Sequence, residues 1–549
     1  MTSVRRPVLT LLLLSSLTFF LGLGRQAITD SDEGFYAEAA REMVEGGDWL
    51  TPHFNYEERW QKPALYYWLT AATYVAFGPT ELAARLWSSL SGIGLVLVTW
   101  IAARRLMPGP GGTDSSDDTA WLAAAVVATC FGCFLMARLA LPDLPLAFLI
   151  TVAMWAALEN RWLLAGAAAG LGFVAKGPLA IVIPAIVLIP IWWRERRCTR
   201  IRPKDVALAA AAFAAIGLPW YGAMTLEHGV AYLESFFVGD NLERFATDRF
   251  NDPRPLWFYV PIVIGGMLPW SAYLAILPWP SVRDVALRRR ALTGAEWRLL
   301  AWVVVPLLFF TMSIGKQPRY ILPVLPPLGI LLAHAITSRV RDSDRAAQKA
   351  LAAATWATAV LYAIVAILLL RAEPLFLSAS PVLTYAGITL VSVCALALVW
   401  LAATRRWRQL PLTMTICATV LLLSLQFGAL AGARPEPVER MAELVRMHRQ
   451  SGEPVGAYHV LVRNLVFYTR FKQVDLVDEG RALDFLKSTE RVLLVVRVAD
   501  LPRLESISGV TTIRLGEVQY LNTANVRLRT LISPLPEQDL EHVLLVANK

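Results

Sequence analysis

Charge is what this sequence is short of. Asp, Glu, Lys and Arg make up 17% of its 549 residues, where soluble proteins carry about 25%. With 56% of the chain apolar, an ordinary water-soluble globule is excluded. Cysteine is scarce as well. None of Cys130, Cys133, Cys198, Cys394 and Cys417 falls in a region expected outside a membrane, so no disulfide framework is expected. The Cys130/Cys133 pair reads as filling within an apolar helix. The six His are dispersed without metal-ligand spacing. Walker, dinucleotide-binding, nucleophile-elbow and metalloprotease motifs are missing, and no repeat of fixed period is present.

What the chain has instead is long apolar runs. A spanning helix needs about 20 apolar residues, and about thirteen candidates have centres near Leu14, Ile93, Ala128, Thr151, Ala168, Pro184, Ala214, Ile264, Pro306, Leu328, Val360, Val391 and Leu421. The net charge of +9 does not point to nucleic acid, because its basic residues fall in every second gap. Arg5/Arg6, Arg104/Arg105 and the runs at 194–204, 283–290, 339–349 and 404–408 mark one side as cytoplasmic. The expected protein is a polytopic all-α membrane protein with the N-terminus inside and the C-terminus outside. Its Leu-rich start lacks a convincing small-residue cleavage site, so it reads as an uncleaved first span.

Two domains are expected. Residues 1–433 form the membrane domain and 434–549 a small external α/β unit, with the boundary at the two Pro of ARPEPVER. In the tail, VGAYHV, RVLLVVRV and HVLLVA read as buried strands; PVERMAELVRMHRQ, DEGRALDFLKS and ADLPRLESI read as helices. MPGPGGTDSSDDT (107–119) reads as a cytoplasmic loop.

By topology, the first external loop (25–79) shares its side with MARLALPDLP (136–145), AKGP (175–178), VGDNLERFATDRFNDPRP (238–255) and GKQPRYILP (315–323). Within the loop, the spacing of Phe35, Ala39 and Met43 predicts a helix over 33–45, with Asp30 and Glu33 as a capping-box variant. Glu38, Arg41, Glu42 and Glu45 would take its solvated face, with the helix lying on the membrane. Tyr66, Tyr67 and Trp68 read as an interfacial aromatic belt. Asp32 equally suits a helix first turn, and Asp143 an N-cap. Lys62, Lys176, Lys316 and Arg319 also suit interfacial snorkelling. Cations on the side that the positive-inside rule disfavours nevertheless call for an anionic partner, and lipid phosphate is the obvious one.

Together DEGFYAEAAREMVEGGDWLTP, QKPALYYWL, ARLALPDLPLAF, AKGPLA, FFVGDNLERF and GKQPRYILPVLPPL, in that order, resemble the bacterial aminoarabinose lipid A transferases and the wider protein O-mannosyltransferase-like group. These are integral-membrane glycosyltransferases of the GT-C fold. The resemblance implies inverting transfer of a sugar from a polyprenyl-phosphate donor to an acceptor hydroxyl or phosphate group on the outer face of the inner membrane. It implies Asp32 as catalytic base, with Asp143 and Glu33 as supporting acids. Lys62, Arg319, Lys316, Arg138, Lys176 and Tyr320 are then the candidates for holding the donor phosphate. The implied partners are the donor lipid, the bilayer and an envelope glycolipid, polysaccharide or protein; no nucleic acid is implied. The aminoarabinose enzymes carry a carboxylate before the lysine of the KP pair and a His in an E-H-F stretch, both associated with zinc. This chain has Gln61 and Asn241 there. Amides are poor zinc ligands, so neither a tight zinc site nor another cofactor is expected, although Asp32 and Glu33 leave a weak divalent site open. Two rival classes remain at this point. One is a lipid-linked-sugar transporter, which would place broken helices and charges at midplane. The other is a membrane scaffold using the tail for binding.

Overall fold

The computed structural model describes every residue except 1, 31, 108–112, 197–200, 249–252, 278–291, 343, 431–434 and 523–524. The expected boundary at 433/434, the basic run 283–290 and Cys198 lie outside the described residues. The other four Cys are free and buried.

All thirteen expected centres fall inside helices, from Thr2–Phe20 to Leu410–Leu425. Thirteen full spans are not reached by length and composition. Six described helices are long and apolar enough to cross a membrane, or up to nine if each bent pair counts as one span. Shorter apolar helices such as Asp143–Leu158 and Trp162–Lys176 account for part of the difference. Within the bundle, hydroxyls return to carbonyls one turn earlier. Thr99 donates to Leu95 at 2.7 Å and Thr151 to Ala147 at 2.7 Å, so polar atoms among apolar helices are satisfied within their own helix. Helices Trp162–Lys176 and Pro203–Gly217 cross at small residues: a Cβ on Gly166 would lie 2.1 Å from the Ala209 carbonyl oxygen.

The loop expected at 107–119 is helical from Thr113, which begins helix Thr113–Thr129. The surface helix forms over Asp32–Gly46, but it has no broad solvated face. Glu38, Arg41 and Glu42 are buried. Arg41 donates to both Glu38 oxygens at 2.8 and 2.6 Å, and the Tyr56 N–H donates to Glu42 at 2.9 Å. The short hairpin His53–Glu58 and the C-terminal domain cover the side expected to face water. The capping box is also different. Asp30 accepts the Arg463 N–H at 2.7 Å, and Glu33 reaches back to the Thr29 N–H at 2.9 Å. Of the expected aromatic belt, Trp68 stays half-buried, its Nε1 donating to the Trp49 carbonyl at 2.6 Å, but the two tyrosines do not face outward. Tyr66 and Tyr67 are buried; Tyr66 Oη donates to the Ala84 carbonyl at 3.2 Å.

Residues 437–547 form a five-stranded mixed sheet. Its order is Val474–Asp475, Val455–Ala457, Leu493–Arg497, Glu541–Ala547, Ile513–Tyr520. The first three strands are parallel, and Glu541–Ala547 runs antiparallel to both of its neighbours, Leu493–Arg497 and Ile513–Tyr520. Alternation assigns the faces. Leu493 and Val495 pack with Met441 and Val445 of helix Pro437–His448. Leu494 and Val496 pack with Ala482 and Leu504 of helices Glu479–Leu486 and Leu501–Ser508. Both faces are covered, which is why these strands read as unbroken apolar runs.

Candidate active site

A cavity of about 800 Å³ opens where the first loop, the bundle and the C-terminal domain meet. Its lining carries six cations, Arg59, Lys62, Lys176, Arg244, Arg319 and Arg463, against three acids, Asp32, Asp143 and Asp240. A half-buried concavity with excess positive charge favours an anion. Phe237, Phe245, Phe309 and Phe310 make one part of the wall apolar, as ligand pockets usually are.

The charges alternate. Asp32 opens its helix, where the backbone favours an anion, and it is ion-paired with Arg319. Arg319 Nε lies 3.3 Å from Asp143 Oδ1, without the alignment of a hydrogen bond. Asp143 in turn accepts from Lys176. It is the first residue of its helix, and its side chain makes no cap. A second series runs from Lys62 to Asp240 at 4.0 Å and from Asp240 to Arg244 at 3.5 Å. On the far side of Asp32, Arg463 Nη1 stands 4.0 Å from Oδ1.

Burial opposes ionisation of Asp32, but Arg319, with Arg463 and Lys176, holds its carboxyl below the usual range. Lys62 moves the other way: burial, with Arg244 nearby, lowers its ammonium to about 7. At neutral pH Lys62 is therefore partly neutral.

Asp32, Lys62, Asp143, Lys176, Arg319 and Tyr320 all line this cavity; three other candidates do not. Glu33 is fully buried and paired with Arg85, whose Nε and Nη2 donate at 2.8 and 3.1 Å. It also accepts the Ala140 N–H at 2.8 Å, so its oxygens tie the loop to the bundle and it is not available as an ion ligand. Arg138 donates to the carbonyls of Thr18, Phe19 and Leu21 at 3.1, 3.2 and 2.9 Å, closing the end of the first helix as cations do. Lys316 donates to the carbonyls of Ser313 and Arg254 at 2.5 and 3.3 Å.

Gln61 and Asn241 both line the cavity, and Asn241 Nδ2 donates to the Phe236 carbonyl at 2.8 Å. Among the described residues no group of three His, Cys, Asp or Glu could hold a metal ion. Four charged lining residues were not among the candidates read from the sequence: Arg59, Asp240, Arg244 and Arg463. Arg59 was visible in the same loop, in EERWQKP, and Asp240 and Arg244 in VGDNLERF. For Arg463 the sequence carries no local signal.

An apolar helical bundle with a charged cavity at one end, capped by an α/β domain, is a multi-pass membrane protein of the GT-C architecture. Residues 10–228 match the family described as dolichyl-phosphate-mannose-protein mannosyltransferase. Over its whole length the chain is similar to the solved ArnT of Cupriavidus metallidurans bound to undecaprenyl phosphate. The TM-score is 0.72 at 21% identity, covering 99% of this chain and 98% of that one. Among curated proteins it is 33% identical over 354 residues to undecaprenyl phosphate-alpha-4-amino-4-deoxy-L-arabinose arabinosyl transferase 2 of Pseudomonas fluorescens, covering 62% of this chain and 58% of that protein. The arabinosyl transferase of Pseudomonas aeruginosa is 33% identical over 351 residues, 61% of each chain. The match spans about three fifths of the length of these relatives.

Proposed function

We propose that the chain transfers a sugar from a polyprenyl-phosphate donor to an acceptor at the outer face of the inner membrane. The observation that carries this reading is the placement of Asp32 and Asp143 on either side of Arg319, with Lys176 and Lys62 in the same cavity. In the step proposed, the acceptor oxygen forms a bond to the anomeric carbon. Its proton passes to Asp32, the bond from that carbon to the phosphate oxygen breaks, and the electron pair leaves on the lipid phosphate. Asp32 is ionised and able to accept a proton. Arg319, Lys176 and Lys62 would stabilise the charge that develops on the phosphate, with Tyr320 beside them. The apolar wall suits a lipid chain. The relatives named above as undecaprenyl phosphate arabinosyl transferases support this donor class.

The outward orientation is supported by the basic gaps, which fall in the loops assigned to the cytoplasm. The acceptor is an envelope glycolipid, a polysaccharide or a protein. The transporter reading gains nothing from these relatives, which are named as transferases.

The test is transfer from a radiolabelled panel of polyprenyl-phosphate sugars in membranes that contain native acceptors. Labelled product with one donor supports the reading and names the sugar. No consumption of any donor by verified, folded protein contradicts it.

A further inference from the structure

The two oxygens of Asp32 face different arginines. Oδ2 is paired with Arg319 of the membrane domain, and Oδ1 faces Arg463 of the C-terminal domain at 4.0 Å. Arg463 lies in the segment that follows strand Val455–Ala457, outside the carboxyl end of a parallel strand. In α/β sheets that is where functional loops gather. Here the segment is keyed to the start of the catalytic loop by backbone contacts. The Arg463 N–H donates to Asp30 at 2.7 Å. Asn464 Nδ2 donates to the Ile28 carbonyl at 2.9 Å, and Ile28 N–H donates to Tyr468 Oη at 2.8 Å. The Arg463 carbonyl oxygen would lie 2.5 Å from a Cβ at Gly34, so only glycine admits the segment there. The guanidinium itself rests 5.0 Å from the centroid of the Phe35 ring. A side chain 45% exposed is thus held beside the carboxylate by its backbone and by a ring.

The two arginines differ in what else they meet. Arg319 also faces Asp143 and lies within the cluster expected to receive a phosphate. When it turns its donors to that phosphate, Asp32 loses its first partner. Arg463 reaches Asp32 from the other domain, on the other oxygen, and remains.

We propose that Arg463 is a positioning residue for Asp32: the C-terminal domain supplies the cation that keeps the base ionised and oriented while Arg319 engages the donor phosphate. This rests on the transferase reading above. It makes the C-terminal domain a part of the active site, not an appended module.

The groups facing Asp32 are Arg319, Lys176 and, through Arg319, Asp143 from the bundle. Arg59 and Tyr67 face it from the first loop, Tyr36 from its own helix, and Arg463 from the C-terminal domain. Removing Arg463 therefore leaves, among the described residues, a single direct ion-pair partner, the one the phosphate also needs.

The test compares full-length wild type, Arg463→Ala, Arg463→Lys and Asp32→Asn, with protein level and thermal midpoint measured for each, and reads the pH profile of kcat. Arg463→Ala is expected to move the acid limb up by about one pH unit, which leaves Asp32 ionised at pH 7; there kcat should fall about tenfold through the lost orientation of the carboxylate, with the donor KM unchanged. Arg463→Lys, which keeps the charge, returns the limb to within a few tenths. An unmoved limb in Arg463→Ala overturns the proposal. So does a change confined to the acceptor KM, which would make Arg463 an acceptor contact. Inactive wild type would instead overturn the transferase reading itself, and active Asp32→Asn would overturn Asp32 as base.

Discussion

Arg319 donates to the Asp32 carboxylate across 287 residues of sequence, while its Nε stands 3.3 Å from Asp143. One planar guanidinium thus lies between the two acids of the cavity. It gives each a cation and keeps them from facing each other directly. An entering phosphate competes for this guanidinium, so donor binding and release of the base become one event in the proposed reaction.

Lysine cannot replace that fork, because its ammonium is a point charge without paired planar donors. Arg319→Lys keeps the net charge and is expected to lower turnover by about 10²-fold or more, the usual cost of losing one preorganised donor to a developing anion. Steady-state kinetics at matched protein level checks this. Near-normal turnover would show that charge alone suffices.

Lys62 gives a pH dependence whose sign is fixed. Its ammonium lies near 7 in the empty site. A bound phosphodiester favours the charged form and raises that value. Binding therefore takes up a proton above pH 7, and donor affinity should fall by about tenfold per pH unit until the raised value is reached. Titrating a polyprenyl-phosphate sugar against purified protein from pH 6 to 9 measures it. Lys62→Arg should flatten the dependence.

Glu33 is expected to act on stability, not chemistry. Glu33→Gln leaves the buried Arg85 without its carboxylate, and breaking such a pair costs about 3–5 kcal/mol. The expected outcome is a clearly lower thermal midpoint in detergent and less folded protein in the membrane. Turnover per folded molecule should change far less. A normal midpoint with lost turnover would return Glu33 to the catalytic group.

Gly34→Ala tests the contact between the two domains. The added Cβ meets the Arg463 carbonyl at 2.5 Å, so the 463–468 segment must shift. Faster proteolysis of the C-terminal domain and lower turnover are expected together. Unchanged values for both would mean that the docking absorbs a methyl group freely.

The sequence made the helices and most of the cavity legible, because both rest on local pattern: apolar runs, and acids and cations repeated in the segments between them. It failed where a charge had two possible uses. Arg138 and Lys316 read as phosphate ligands, yet both donate to backbone carbonyls. Composition cannot separate a cation that closes a helix end from one that awaits an anion. Glu38, Arg41 and Glu42 read as a wet face because the cover over them comes from elsewhere in the chain. Arg463 was invisible for the same reason: its partner Asp30 lies 433 residues away, and domain docking leaves no periodic trace.

At the centre of the proposed reaction, Asp32 takes the acceptor proton as the sugar leaves a polyprenyl phosphate. The most direct measurement is single-turnover donor consumption by wild type and Asp32→Asn at equal protein level, with donor binding measured in parallel. The expected result is a loss of about 10²–10⁴-fold in rate with donor binding retained. Equal rates in the two proteins would contradict Asp32 as the base.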